Sequence, residues 1–501
     1  MGRRGLNVVV WGSAFALGVR CLLFAWEGLP ELLSTRIELV TPVTSYNRLK
    51  EGLYLVESGL SPYAGDAYHQ APLLLWFFSF FFSSSMPQPS GEALTAAAAY
   101  LPTISHYATP ALFIFTDFFI AFLLMFLSQN YLAHPTFTAS SSASSSNAPS
   151  PSSPSSSSTS SSSSPTTSSP SASVVAANFN SSTSPPLTGE IVFCVYLTNP
   201  WTILTCVAQS TIVFNNLAVV LCLYAAVKGN VWLATLCLAL GTYLSLYPAL
   251  LIFPLVAIFH TYYKQPVQSA WVVGFAVVAC YAVWLSALFY LSFLQLGSWG
   301  WLKEVYGFIF FAPDLTPNIG LFWYYFTEAF MHFRPFFIFV FQYHPVIYVL
   351  PLTVRFRRHG VFLFWIFMGL IGMLKSYPCI GDMAPYISLL PLFHVLNLAQ
   401  NKRSVFICLG FVYLNVVGPI MWHLWINQGT GNANFFYAMT LIFFLFQGWL
   451  VRDCLTSASV LDDLMTQEEK QKTKKAQAQT TPTLPTPETA ASSTAKAIKV
   501  D

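Results

Sequence analysis

Residues 311–326 read FAPDLTPNIGLFWYYF: an acid, an amide and two prolines in front of an aromatic run. Pro313 and Pro317 restrict the backbone and remove two N–H donors, so the polar half cannot continue a helix. The apolar half predicts a helix over 319–331, too short for the roughly 20 residues that span a bilayer. Irregular polar backbone is tolerated at membrane depth only where protein covers it or water reaches it. The stretch therefore predicts an interfacial or re-entrant segment, with Trp323, Tyr324 and Tyr325 at headgroup level.

The surrounding chain is built for a membrane. Of its 501 residues 55% are hydrophobic, 17% aromatic and only 9% charged, against about 25% charged in soluble domains. Apolar runs lie near 6–26, 108–130, 191–228, 231–260, 269–296, 335–353, 361–398, 404–427 and 433–451, several interrupted by Pro200, Pro248, Pro254, Pro378 or Pro385. They predict an all-α, polytopic membrane protein of roughly ten to twelve transmembrane helices. The first run follows Arg3 and Arg4, contains Arg20 and lacks a closing small-residue cleavage site, so it is expected to be a retained span and not a signal peptide.

The expected organisation is a first span, a lumenal loop and a second span in 1–134, a Ser-rich loop over 135–188, a multi-spanning bundle over 189–453 and a polar tail over 454–501. The loop and the tail hold too little apolar surface to offset the entropy of ordering them, and both are expected to be disordered. Basic residues set the sidedness. Arg355, Arg357, Arg358 and His359, the pair Lys402 and Arg403, and Arg452 with Lys470–Lys475 should face the cytosol. Four polar patches, 59–72, 312–320, 374–385 and 427–437, then fall together on the lumenal side. Each is a plain helix connection by composition; their convergence on one face is what points to a substrate path.

Few residues offer chemistry. Asp117, Glu328 and His423 stand inside apolar runs, where a catalytic role competes with the more cautious reading as hydrogen-bond partners between helices. The sequence carries no G-x-S-x-G, H-E-x-x-H or Walker A motif, and its nine cysteines include no C-x-x-C pair, so neither a nucleophile, a metal site nor a cofactor is expected. The net charge of +3 is thinly spread and gives no reason to expect a nucleic-acid partner.

Longer runs carry a resemblance. TNPWTILTCVAQST (198–211), TYLSLYPALL (242–251), DLTPNIGLFWYYFTEAFMHFR (314–334), KSYPCIGDMAPYISLLPL (375–392) and MWHLWINQGTGNANFFYA (421–438) closely resemble the PIG-U family, the class U subunits of GPI transamidase. The resemblance implies a multi-pass protein of the endoplasmic reticulum membrane and a non-catalytic subunit of the complex that joins GPI to the new C-terminus of precursor proteins. The catalytic cysteine protease is then another subunit. The implied partners are the other transamidase subunits, the GPI glycolipid and membrane lipids, with the precursor's C-terminal signal as a further candidate.

The family also looks like an offshoot of the GT-C mannosyltransferases, which implies a GT-C-like scaffold. Ser61-Pro62-Tyr63 with Pro72-Leu73 match a segment of those enzymes, but Pro42, Val43, Thr44 and Ser45 stand where their acidic motif belongs. No side chain there can act as a base or metal ligand, and the scaffold is expected to survive as a lipid cradle without the chemistry. The residues implied for the lipid headgroup are Tyr63, Asp314, Asn318, Lys375, Asp382, Asn432 and Asn434. The rival readings are an active mannosyltransferase using Glu38 or Asp66, and an assembly subunit with no lipid contact.

Overall fold

A computed structural model describes residues 3–82, 95–133, 188–262, 270–396 and 402–480. Most of the Ser-rich loop and the tail beyond Thr480 lie outside the described residues. Among those described the chain is helical and contains no β-strand.

Among the described residues six helices are long and apolar enough to cross a membrane: Arg3–Ala25, Tyr107–Leu132, Trp271–Leu296, Arg334–Arg355, Arg403–Asn427 and Ala433–Leu464. A seventh results if Thr188–Thr198 and Pro200–Val207, bent by 48° at their junction, count as one span. This is fewer than the ten to twelve expected. Breaks divide the longest apolar runs, which become the shorter helices Ile212–Val227, Val231–Ser245, Tyr247–Thr261, Gly360–Leu374 and Ile380–Phe393. Proline supplies much of the cause, since Pro200, Pro248 and Pro385 each occupy a first or second helical position, where the missing N–H costs nothing.

Two more boundaries differ from expectation. The helix predicted over 319–331 is the shorter Phe322–Glu328, and Trp323 is buried within the protein. At the other end of the chain, the tail expected from residue 454 begins inside a helix that runs Ala433–Thr480. Between 454 and 480 there is no Gly or Pro to interrupt it, and its second half is clasped from outside: Arg355 pairs with Asp462 and Asp463, and His359 Nε2 lies 2.9 Å from Asp462. Composition predicted the absence of a core there, but the helix needs only these contacts and its own backbone bonds.

The elements that frame the site are α1 (Arg3–Ala25), α2 (Leu29–Ser34), α3 (Tyr46–Glu57), α4 (Thr95–Leu132), α5 (Thr188–Thr198), α6 (Pro200–Val207), α7 (Phe322–Glu328), α8 (Arg334–Ile347), α9 (Gly360–Leu374), α10 (Lys402–Trp422) and α11 (Ala433–Thr480). Helix α9 is apolar all round and buried along nearly its whole length, as a helix at the centre of a bundle must be.

A buried ion pair holds α5 against α1 and α4. Arg20 on α1 donates to Asp117 on α4 at 3.0 Å, and both side chains are almost fully enclosed. The Tyr196 hydroxyl donates to the second Asp117 oxygen at 2.9 Å. Pro200 frees carbonyls at the break between α5 and α6. Arg20 donates to Leu197 O at 2.9 Å and the Thr202 hydroxyl to Tyr196 O at 2.6 Å. Asp117 is thus a partner between helices. Each group is satisfied, as polar atoms in this setting must be.

Candidate functional site

The loops from 36 to 48, 59 to 72, 312 to 320 and 374 to 385 meet at one end of the bundle. Ile380 N donates to Glu38 O and Thr211 N to Thr44 O, both at 2.9 Å. Gln70 Nε2 reaches Ser45 O at 2.7 Å and receives Thr211 Oγ1 on its carbonyl at 3.0 Å. Asn216 Nδ2 donates to Gly381 O at 2.8 Å. The packing is close enough to require glycine at two places: a Cβ on Gly320 would stand 2.6 Å from Pro378, and one on Gly381 2.7 Å from Ile212.

Most of the residues singled out from sequence are occupied in holding these loops. Lys375 Nζ meets Asp382 at 2.6 Å with both side chains buried, and the other Asp382 oxygen accepts Cys379 N at 2.9 Å. Asn318 closes an Asx turn, accepting Gly320 N at 2.8 Å and donating to Thr316 O at 3.3 Å. Asp314 accepts Thr316 N at 2.8 Å and pairs with Arg48 at 3.2 Å. Partial burial works to raise its carboxyl; the Thr316 hydrogen bonds and the Arg48 guanidinium outweigh this and hold it below the ordinary value. The Tyr63 hydroxyl donates to Gln70 O at 2.8 Å. Cys379, the cysteine at this end, is fully buried, and that burial pushes its thiol up, with Asp382 adding to the effect, the opposite of what activates a nucleophile.

The fourth patch joins through aromatic contacts. Asn432 is the cap of α11, its side-chain oxygen accepting Asn434 N at 3.1 Å. Asn434 instead accepts the Tyr324 hydroxyl, and Tyr324 stacks on Tyr437 with centroids 4.4 Å apart. Trp323 packs against Trp425, Phe436 and Tyr437. His423 is exposed and contacts Asn427 at 2.9 Å.

Beneath this polar layer lies a cavity of about 360 Å³. Leu32 and Leu33 of α2, Trp201 and Leu204 of α6, Leu414, Gly418 and Pro419 of α10, and Phe436, Met439 and Phe443 of α11 supply most of its wall, with Ile319 and Ile380 from two of the loops. Four polar side chains join them: Arg36, Glu38, Asn415 and Thr440. Arg36 donates two bonds to Glu38, at 2.8 and 3.2 Å; Asn415 accepts the Trp201 indole N–H at 2.6 Å. A slot that is apolar over most of its surface and carries one charged pair suits an amphiphile.

None of the seven residues named from sequence lines this cavity. Asn318 and Asp382 stand one and two positions from the lining residues Ile319 and Ile380, and so shape the wall from behind. Of the lining side chains, Glu38 alone had been considered. Trp201, Asn415 and Met439 belong to ordinary apolar runs, and only the pairing of α6 with α10 and α11 makes them one surface. Arg36 was the available signal, two residues from an acid in a loop between apolar runs.

A family model described as GPI transamidase subunit PIG-U matches residues 14–443. The chain is 34% identical over 444 residues to the Homo sapiens protein named GPI-anchor transamidase component PIGU, covering 87% of this chain and 90% of that relative. It is 28% identical over 465 residues to the Saccharomyces cerevisiae GPI transamidase component GAB1, covering 93% and 94%. The chain therefore belongs to the PIG-U family of GPI transamidase subunits.

Proposed function

We propose that this chain is a non-catalytic membrane subunit of GPI transamidase in the endoplasmic reticulum, and that it holds the GPI glycolipid in the cavity between α2, α6, α10 and α11 for attachment to the C-terminus of a precursor. The observation that carries the reading is the cavity itself, which offers acyl chains an aliphatic and aromatic wall and the headgroup the Arg36–Glu38 pair. The polar layer faces the lumen, with Asn432 and Asn434 at its rim. Tyr63, Asp314, Asn318, Lys375 and Asp382 serve the lipid by fixing the loops above it. Partners are the other transamidase subunits, the catalytic cysteine protease among them. The scaffold is GT-C-like, and the shorter apolar helices cross within the shelter of the longer ones, which accounts for the fuller count of ten to twelve.

Gly418 gives the test. It lines the cavity, and a Cβ placed on it meets nothing within 4 Å. Gly418→Ala and Gly418→Phe both carry the cost of a side chain before Pro419, so the difference between them reports the filling of the cavity. In complex purified from cells, Gly418→Phe should lower bound GPI severalfold by quantitative lipid mass spectrometry, and Gly418→Ala should not, with subunit recovery equal. Unchanged GPI in the Phe variant would remove the lipid from this cavity.

The mannosyltransferase reading keeps one support, the presence of Glu38 in the cavity wall. Asp66 is exposed in a left-handed turn (φ 51°). Glu38→Gln should leave GPI attachment within a few-fold of wild type, whereas loss of a general base costs about 10²-fold or more.

A further inference from the structure

Glu328 takes no part in the cavity described above. It is exposed at the end of α7, beside a second hollow of about 350 Å³. Tyr324, Tyr325, Phe330, Phe333, Phe337 and Tyr437 supply six rings to its lining, and Glu328 is the one charged side chain among the lining residues. Tyr324 and Tyr437 stack at 4.4 Å, and Tyr325 meets Phe337 nearly edge-on at 5.3 Å. Phe330 is 79% exposed. Glu328 makes no ion pair among the described residues, and after desolvation its charge and its side-chain hydrogen bond with Tyr324 hold the Tyr324 phenol above its ordinary value.

Ring faces carry negative potential and attract cations, and the carboxylate adds to it. A divalent metal ion is the wrong guest, because one carboxylate cannot supply the six or more oxygens that calcium or magnesium requires. The hollow lies beside the starts of α8 and α11, which open two of the candidate spans, so it stands at the depth of lipid headgroups. We infer that this hollow binds the ammonium group of a lipid headgroup, with the rings enclosing the cation and Glu328 countering its charge. An aromatic belt alone would explain the rings, but it needs no carboxylate among them and shows no preference for charge.

The inference stands apart from the glycolipid slot and is tested without it. The full chain, purified in a maltoside detergent that has no amine, is titrated with choline, with ethanolamine and with 3,3-dimethyl-1-butanol, the uncharged carbon isostere of choline, by saturation-transfer NMR. At least one of the two ammonium probes should bind, and the isostere should not. Glu328→Gln should weaken that binding about tenfold and Phe330→Leu should weaken it measurably, while Glu328→Asp, which keeps the charge, retains most of it. Both positions are exposed, and elution of the variants as wild type checks the fold. Tighter binding of choline assigns the guest to quaternary-ammonium phospholipids; tighter binding of ethanolamine assigns it to a lipid with a primary amine. Isostere binding equal to choline, failure of both ammonium probes, or no change with Glu328→Gln overturns the inference.

Discussion

The two ends of the bundle are held together by ion pairs of opposite kinds. At one end Lys375 and Asp382 meet with 4% and 7% of their side chains exposed, among loops whose backbone groups bond to one another. At the other, Arg355 spans Asp462 and Asp463 with 38% of its side chain exposed, and Arg403 approaches Asp453 at 3.4 Å. A buried pair repays its desolvation only when both partners are present, so the first end is rigid and intolerant of single changes. An exposed pair gains little and is screened by salt. The end with the buried pair is the one beside the cavity. The other end clasps the extension of α11, which can come and go at small cost.

Breaking the buried pair should have the largest effect. Lys375→Met leaves Asp382 charged and unpaired, and a loss of about 3–5 kcal/mol is expected, read as a lowered unfolding midpoint of the full chain in detergent. Lys375→Met with Asp382→Asn removes both charges and keeps an acceptor for Cys379 N, so most of the loss should return. A single variant as stable as wild type would remove the distinction between the ends.

A smaller effect is expected at the start of α11. Asn432→Ala removes the cap and should cost about 1 kcal/mol, while Asn432→Ser should be close to silent in stability. Because Asn434 accepts the Tyr324 hydroxyl, Asn434→Ala and Tyr324→Phe should be non-additive in a double-mutant cycle on surface display of GPI-anchored proteins. Full additivity would show that the contact does not matter to function. Asn432→Lys and Asn434→Ser are each expected to lower that display with the complex still assembled.

The smallest effect belongs to the exposed pair. Arg355→Ala should cost under about 1 kcal/mol, and high salt should erase the difference from wild type. Proteolysis is the sharper readout, since the helix beyond Asp463 should be cut faster in the variant. An equal rate of cutting would mean that the extension is held by something other than this clasp.

Much of this contrast was legible in the sequence, and the missing parts have a common cause. A charge in an apolar run has to be paired, so Asp117 announced a partner, but Arg20 lies 97 positions away and nothing local connects them. The stretch 311–326 declared its break through two prolines, and the described helix begins only at Phe322. Its aromatic helix was expected to be interfacial or re-entrant, with its rings at headgroup level, and the packing partners of those rings were not legible. The structure buries Trp323 against Trp425 and Phe436, because a large ring prefers a packed partner when one is within reach.

By itself the sequence determined that the chain is helical and meant for a membrane, where it breaks, which end of the bundle gathers the polar loops, and to which family it belongs. These follow from composition, proline and glycine positions, charge placement and long ordered runs, all of which act locally or are matched in order. The tertiary structure alone decided how many helices reach full length, that the α11 helix passes residue 454, and that the polar residues named from sequence hold the loops while Arg36, Glu38, Trp201 and Asn415 face the cavity. A cavity is the space left between elements packed from distant parts of the chain, and no local pattern records it.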